Sequence, residues 1–152
     1  MRVADVMTKA SISESPTDTL RGAAERMWQQ QTGSLVVMDA GRLVGIVTER
    51  DVLKAAAHGA QLDETLIKDV MTGEVVTTGA DSPLRDAART MAQHWIRHLP
   101  VVEGGDVVGI LSQRDILGVF AALSREPGAV EIATDSLVRE QRLARIEAGD
   151  LD

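Results

Sequence analysis

No cysteine occurs anywhere in this chain. That excludes a disulfide framework, a thiolate metal site and a cysteine nucleophile. Aromatic side chains are nearly as scarce: there is no tyrosine, one phenylalanine and two tryptophans, so few rings are available to stack on bases. A formal net charge of −7 opposes the basic footprint by which proteins hold nucleic acid, and we expect no nucleic-acid partner. No apolar run approaches the roughly 20 residues that a helix needs to cross a bilayer, and the opening Met1-Arg2-Val3-Ala4-Asp5 has no apolar core of signal-peptide type. The expectation is a cytoplasmic protein with no membrane association.

What the chain does have is an internal repeat. Gly45-Ile46-Val47-Thr48-Glu49-Arg50-Asp51-Val52-Leu53 returns 64 residues later as Gly109-Ile110-Leu111-Ser112-Gln113-Arg114-Asp115-Ile116-Leu117. Asp5-Val6-Met7-Thr8 returns as Asp69-Val70-Met71-Thr72, and the run Leu20 to Met27 as Leu84 to Met91, in the same register. Two copies are fewer than the three or so that a solenoid needs to bury its faces, so a pair closed by a pseudo-twofold axis is the simpler solution. The units are residues 1–64 and 65–128, with 129–152 as a C-terminal helical extension.

Each unit switches period in the same order. Ser11-Ile12-Ser13 and Val75-Val76-Thr77 read as short first strands. Asp18, matched by Ser82, is a plausible N-cap, with Pro83 suited to a first helical position. Leu20, Ala23, Ala24 and Met27 then recur at helical spacing, as do Leu84, Ala87, Ala88 and Met91. Leu35–Met38 with Leu43–Val47, and Leu99–Val102 with Val107–Leu111, read as hairpins around turns containing glycine. Second helices run from about Thr48 to Ala57 and from about Ser112 to Leu123. Each unit is β-α-β-β-α, a mixed α+β class. Past Ser124, Asp135-Ser136 can cap a charged final helix through about Glu147.

On the two Asp-Val-Met-Thr boxes, on Arg97-His98-Leu99-Pro100-Val101-Val102 and on the two junctions Gly45 to Asp51 and Gly109 to Asp115, the chain resembles a tandem pair of CBS domains, the Bateman module. The match covers about residues 1 to 124 and leaves no room there for a catalytic domain. The resemblance implies two units packed sheet to sheet, two clefts for adenosine-containing ligands (AMP, ADP, ATP, NAD or S-adenosylmethionine), a homodimer, and regulation of an unidentified partner protein. It implies no required cofactor.

The chemistry of the junction is compatible with that role. A helix starting near Thr48 offers backbone N–H groups and the positive end of its dipole to an anion. Asp51 is matched to a ribose diol, and Ser112 with Asp115 repeats the arrangement. The resemblance makes these hydroxyls and carboxylates the phosphate and ribose contacts. Equally, Thr48-x-x-Asp51 and Ser112-x-x-Asp115 fit a helix capping box that serves only the backbone. Arg97 and His98 stand where the resemblance puts phosphate contacts, or else on a solvated rim. Their counterparts Gly33 and Ser34 carry no charge, so the two clefts should differ in their preference for anions. Arg50 and Arg114 could meet phosphate, stay solvated, or bridge to Glu49 or Asp115. Ile12, Ser13, Val76 and Thr77 are candidate adenine contacts by resemblance and sheet packing otherwise. His94 and His98, four apart, lack a third ligand at metal spacing, so no metal site is expected. Trp28 and Trp95 are not repeat equivalents; either could cover a dimer surface or stack beside a base, and core or interface packing is the favoured reading. With no nucleophile-base pair and no phosphate loop, an enzyme is disfavoured.

Overall fold

The computed structural model describes residues 1–9 and 12–123. Ser11 of the expected first strand, and the expected helix from Asp135 to Glu147, lie outside the described residues. Met1–Leu117, which holds most of both halves, forms one compact unit, and the chain from Gly118 belongs to a second. Among the described residues no helix is long and apolar enough to cross a membrane.

The first half contains strands β1 (Thr8–Lys9) and β2 (Ser13–Glu14), helix α1 (Leu20–Gln30), strands β3 (Ser34–Asp39) and β4 (Arg42–Thr48), and helix α2 (Glu49–Ala57). The second contains β5 (Thr78–Gly79), α3 (Leu84–His94), β6 (His98–Glu103), β7 (Asp106–Ser112) and α4 (Gln113–Leu123). The helical spacing read from the sequence is what the fold buries: Leu20, Ala23 and Met27 on α1, and Leu84, Ala87 and Met91 on α3. Side chains such as Leu20, Leu35 and Ile67, fully withdrawn from water, each contribute about 1.5–3 kcal/mol of burial energy.

Three local expectations are corrected. Thr19, not Asp18, caps α1, its hydroxyl accepting the Gly22 N–H at 3.2 Å. The Asp18 carboxylate instead closes the preceding turn on the Ser15 N–H at 2.8 Å. Pro83 is itself the N-cap residue of α3, in extended backbone and with no side-chain acceptor, so Ser82 does not cap. The first strand of the second half is Thr78–Gly79 and not Val75-Val76-Thr77, because that is where the parallel partners Val101 and Val102 lie. Pairing across the sheet overrides local β-propensity.

The hairpins are near copies. Each has a bulge at the same place, between Val37 and Met38 and between Val101 and Val102. Each turns through two residues with positive φ, Ala40 and Gly41 in one (48° and 76°) and Gly104 and Gly105 in the other (58° and 91°). Two left-handed residues suit the right-handed twist of the flanking strands.

The sheets are β2-β3-β4 and β1-β7-β6-β5. In the second, β1, from the start of the chain, pairs with β7 of the other half, Thr8 opposite Ile110. The reciprocal bridge joins Thr72 to Ile46 on β4. The exchange extends further. The Val3 N–H donates to the Ser82 carbonyl and that of Ile67 to Asp18, both at 2.9 Å, and both side chains are fully buried. The first amide of α3 donates to Met1 and that of α1 to Thr65. Each Asp-Val-Met-Thr box thus builds the half opposite to its own repeat. The glycines of the junction follow from this: a Cβ on Gly109 would stand 2.6 Å from the Thr8 carbonyl oxygen, and one on Gly45 would run into the Met71 thioether.

Candidate functional site

Both strand-to-helix corners close as capping boxes. At the first, Asp51 Oδ2 accepts the Thr48 N–H at 2.7 Å and the Thr48 hydroxyl at 3.1 Å, while Thr48 Oγ1 accepts the Asp51 N–H at 3.4 Å. At the second, Asp115 Oδ2 accepts the Ser112 N–H at 2.8 Å and its hydroxyl at 2.7 Å, and Ser112 Oγ accepts the Asp115 N–H at 3.2 Å. Neither box uses the Oδ1 oxygen, so each aspartate retains an acceptor for a further donor. Burial pushes the Asp51 carboxyl above its ordinary range, while hydrogen bonds from Thr48 and the nearby charges of Lys54 and Arg50 pull it down.

A helix start leaves four backbone donors without intrahelical partners. At α4 the chain satisfies three itself: Ser112 and Asp115 through the box, and Gln113 through the Arg97 carbonyl at 2.8 Å. The fourth is the Arg114 amide. The first corner is built alike, with Glu49 N–H donating to the Gly33 carbonyl at 3.0 Å.

The second corner opens on a cavity of about 760 Å³. Five of the expected site residues line it: Arg97, His98, Ser112, Arg114 and Asp115. The first half contributes Thr8, the end of α1 with Met27 and Trp28, the segment through Gly33, and Glu49 and Val52 of α2. Because Gly33 and Arg97 are repeat equivalents, as are Glu49 and Gln113, the cavity straddles the pseudo-twofold axis. Its charged lining is two carboxylates, Glu49 and Asp115, and two guanidinium groups, Arg97 and Arg114.

Arg97 reaches across that axis, Nη2 lying 3.2 Å from Glu49 Oε1. His98 lies against Gly33, where a Cβ would come within 3.1 Å of its Nε2. Burial, with the positive charge of Arg97, holds the His98 imidazole below its ordinary range and favours the neutral ring, against the pull of Glu49 and Asp115. Arg97 and His98 therefore line the cavity and meet residues of the first half, with Arg97 still half-exposed.

The remaining expected residues stand elsewhere. Thr48 and Asp51 form the first corner, with Arg50 exposed beside them, and none of the three lines this cavity. Ile12 packs against the first half's apolar core, and Ser13 pairs with Val36 on β2. Val76 and Thr77 are half-buried and precede β5. His94 ends α3 while His98 begins β6. Trp28 is 78% exposed and is a cavity wall rather than core; Trp95, 39% exposed, is the left-handed C-cap of α3. Gly33, Glu49 and Trp28 are named in the sequence reading but not as walls of this cavity, and Gln113, Thr8 and Val52 are not found there as site residues at all. The offset of 64 would have flagged the equivalent pairs, but which of them meet depends on the folded axis.

A family model described as CBS domain matches the chain twice, over residues 3–58 and 67–122. The CBS domain-containing protein YhcV of Bacillus subtilis is 37% identical over 115 residues, covering 75% of this chain and 81% of that protein. Among solved structures, the CBS domain pair of protein MJ0100, in complex with 5'-methylthioadenosine and S-adenosyl-L-methionine, matches with TM-score 0.76 and 30% identity over 82% of this chain and 98% of that one. The CBS domain protein PAE2072 of Pyrobaculum aerophilum, complexed with AMP, matches with TM-score 0.72 and 30% identity over 80% and 99%.

Proposed function

Since the chain belongs to the CBS domain family and carries the domain twice, we propose that it is a regulatory module whose cavity at the second corner binds an adenosine-containing ligand, and that binding alters how a partner protein is engaged. The observation that carries the reading is the convergence of Ser112, Asp115, Arg114, Arg97 and His98 on one cavity. The Asp115 Oδ1 oxygen, outside the cap, would accept from the ribose, and the Arg114 amide and guanidinium would meet phosphate. Ile12, Ser13, Thr48, Arg50 and Asp51 are assigned to the matching site of the first half, and Val76 and Thr77, the repeat equivalents of Ile12 and Ser13, to that of the second. The relatives solved with AMP, or with 5'-methylthioadenosine and S-adenosylmethionine, support the ligand class. We take 1–64 and 65–128 as the two CBS units, and the protein as a cytoplasmic homodimer. The exposed Trp28, Leu53 and Leu117 favour a covered surface. A ligand moves such a module only by its differential affinity for two arrangements.

Isothermal titration with AMP, ATP, NAD and S-adenosylmethionine tests the reading. At least one should bind, and Asp115→Ala should weaken it at least about tenfold, the loss of a charge-assisted hydrogen bond, while costing about 1 kcal/mol of stability through the cap. The competing reading is a protein-interaction module with degenerate sites, favoured by the use of one oxygen of each carboxylate in its cap. It predicts the same loss of stability with no binding by any of the four, and that outcome would overturn the sensor.

A further inference from the structure

Glu49 is the feature of the cavity that ligand binding does not explain. It is a carboxylate at the mouth of a site read as taking an anion, and it occupies the one cation, Arg97, that the second half carries where the first has Gly33. Its own repeat equivalent is the uncharged Gln113. The pair is half-exposed, with 48% of the Arg97 side chain and 59% of that of Glu49 in contact with water, so it contributes little to stability. The charge nonetheless remains beside any phosphate that enters. Among the described residues, the cationic provision with no partner is the Arg114 guanidinium and its backbone amide, the other three donors of the helix start being satisfied internally. Together these match one anionic group and not a chain of them.

We propose that Glu49 filters the ligand by charge: it neutralises Arg97 and repels additional phosphates, so that the cavity selects adenosine ligands with at most one phosphate over triphosphates. The inference rests on the reading of the cavity as an adenosine site, and deepens it. A carboxylate on the wall of the cavity discriminates against each further negative charge that a ligand brings in, and a neutral isostere removes that penalty without changing shape.

The test is calorimetric titration of adenosine, AMP and ATP into the wild-type protein, Glu49→Gln and Gln113→Glu. The wild type should bind AMP at least about tenfold more tightly than ATP. Glu49→Gln should tighten ATP about tenfold, AMP less and adenosine not at all. Gln113→Glu, which adds a carboxylate at the equivalent wall, should weaken AMP and ATP while leaving adenosine unchanged. Wild-type binding of ATP as tight as AMP, or an ATP-to-AMP ratio unmoved in both variants while adenosine still binds, would overturn the filter and leave the adenosine site standing. Failure of all three ligands to bind the wild type would remove the site, and the filter with it.

Discussion

At the first corner, Thr48 and Asp51 close their box opposite Ser34, which pairs with Thr48 across the hairpin and whose buried hydroxyl has no hydrogen-bond partner among the described residues. At the second, Ser112 and Asp115 close the same box opposite His98, with Arg97 extended over the axis to Glu49. Backbone, cap, bulge and turn are conserved between the two halves of one chain. At the corners the difference in charge lies in Gly33-Ser34 against Arg97-His98 and in Glu49 against Gln113. A duplicated fold can therefore change what one site attracts without touching the device that builds it.

The comparison is broken most forcefully at the crossing points. Gly109→Ala drives a Cβ into the Thr8 carbonyl, a backbone atom fixed in a strand pair, and should cost about 3 kcal/mol in urea unfolding. Gly45→Ala meets chiefly the flexible Met71 side chain, with the Thr72 carbonyl at 3.1 Å, and should cost about 1 kcal/mol less. Equal losses would mean that the two crossings are equally rigid.

A smaller asymmetry lies at Glu14 on β2, which is buried beside Arg26 where the second half has Thr78. Burial, together with hydrogen bonding to Asp18, pushes this carboxyl from its ordinary 4.5 to about 6, against the pull of Arg26. The folded state then binds the proton more tightly than the unfolded one. The resulting stability is fully present below about 4.5 and is lost as pH rises through about 6. Glu14→Gln should therefore be more stable than wild type at pH 7.5 by about 1–2 kcal/mol, with the advantage gone at pH 4; denaturant titrations at the two pH values check this.

Smallest is the turn. Ala40 holds φ at 48° where the other hairpin has Gly104, so Ala40→Gly should raise stability by about 0.5–1 kcal/mol, read as a higher melting temperature, while Gly104→Ala lowers it.

What was legible in the sequence is whatever is decided within one or two turns of chain. The capping boxes at Thr48 and Ser112, the buried faces of α1 and α3, and the hairpins all follow from spacing and residue type alone. Sequence misleads mainly where a distant partner decides, although the caps of α1 and α3 also lie one residue beyond Asp18 and Ser82. Thr78 and Gly79 became a strand because Val101 and Val102 were beside them, and the two-residue β1 exists only through β7 of the other half. Arg97 cannot be paired with Glu49 from sequence, because nothing in a separation of 48 positions announces that the axis brings them together. The junction glycines could be read as a repeat but not explained until Met7, Thr8, Met71 and Thr72 were seen lying over them.

That reciprocal threading has a consequence for dissection. A gene cut between the repeats would give a fragment whose own leading segment lacks its sheet and whose sheet lacks its edge. Such a fragment can satisfy its exposed strand only by trading segments with another copy of itself. Isolated halves should therefore emerge as swapped pairs or as aggregates, and the second copy of the repeat is the intramolecular chaperone of the first.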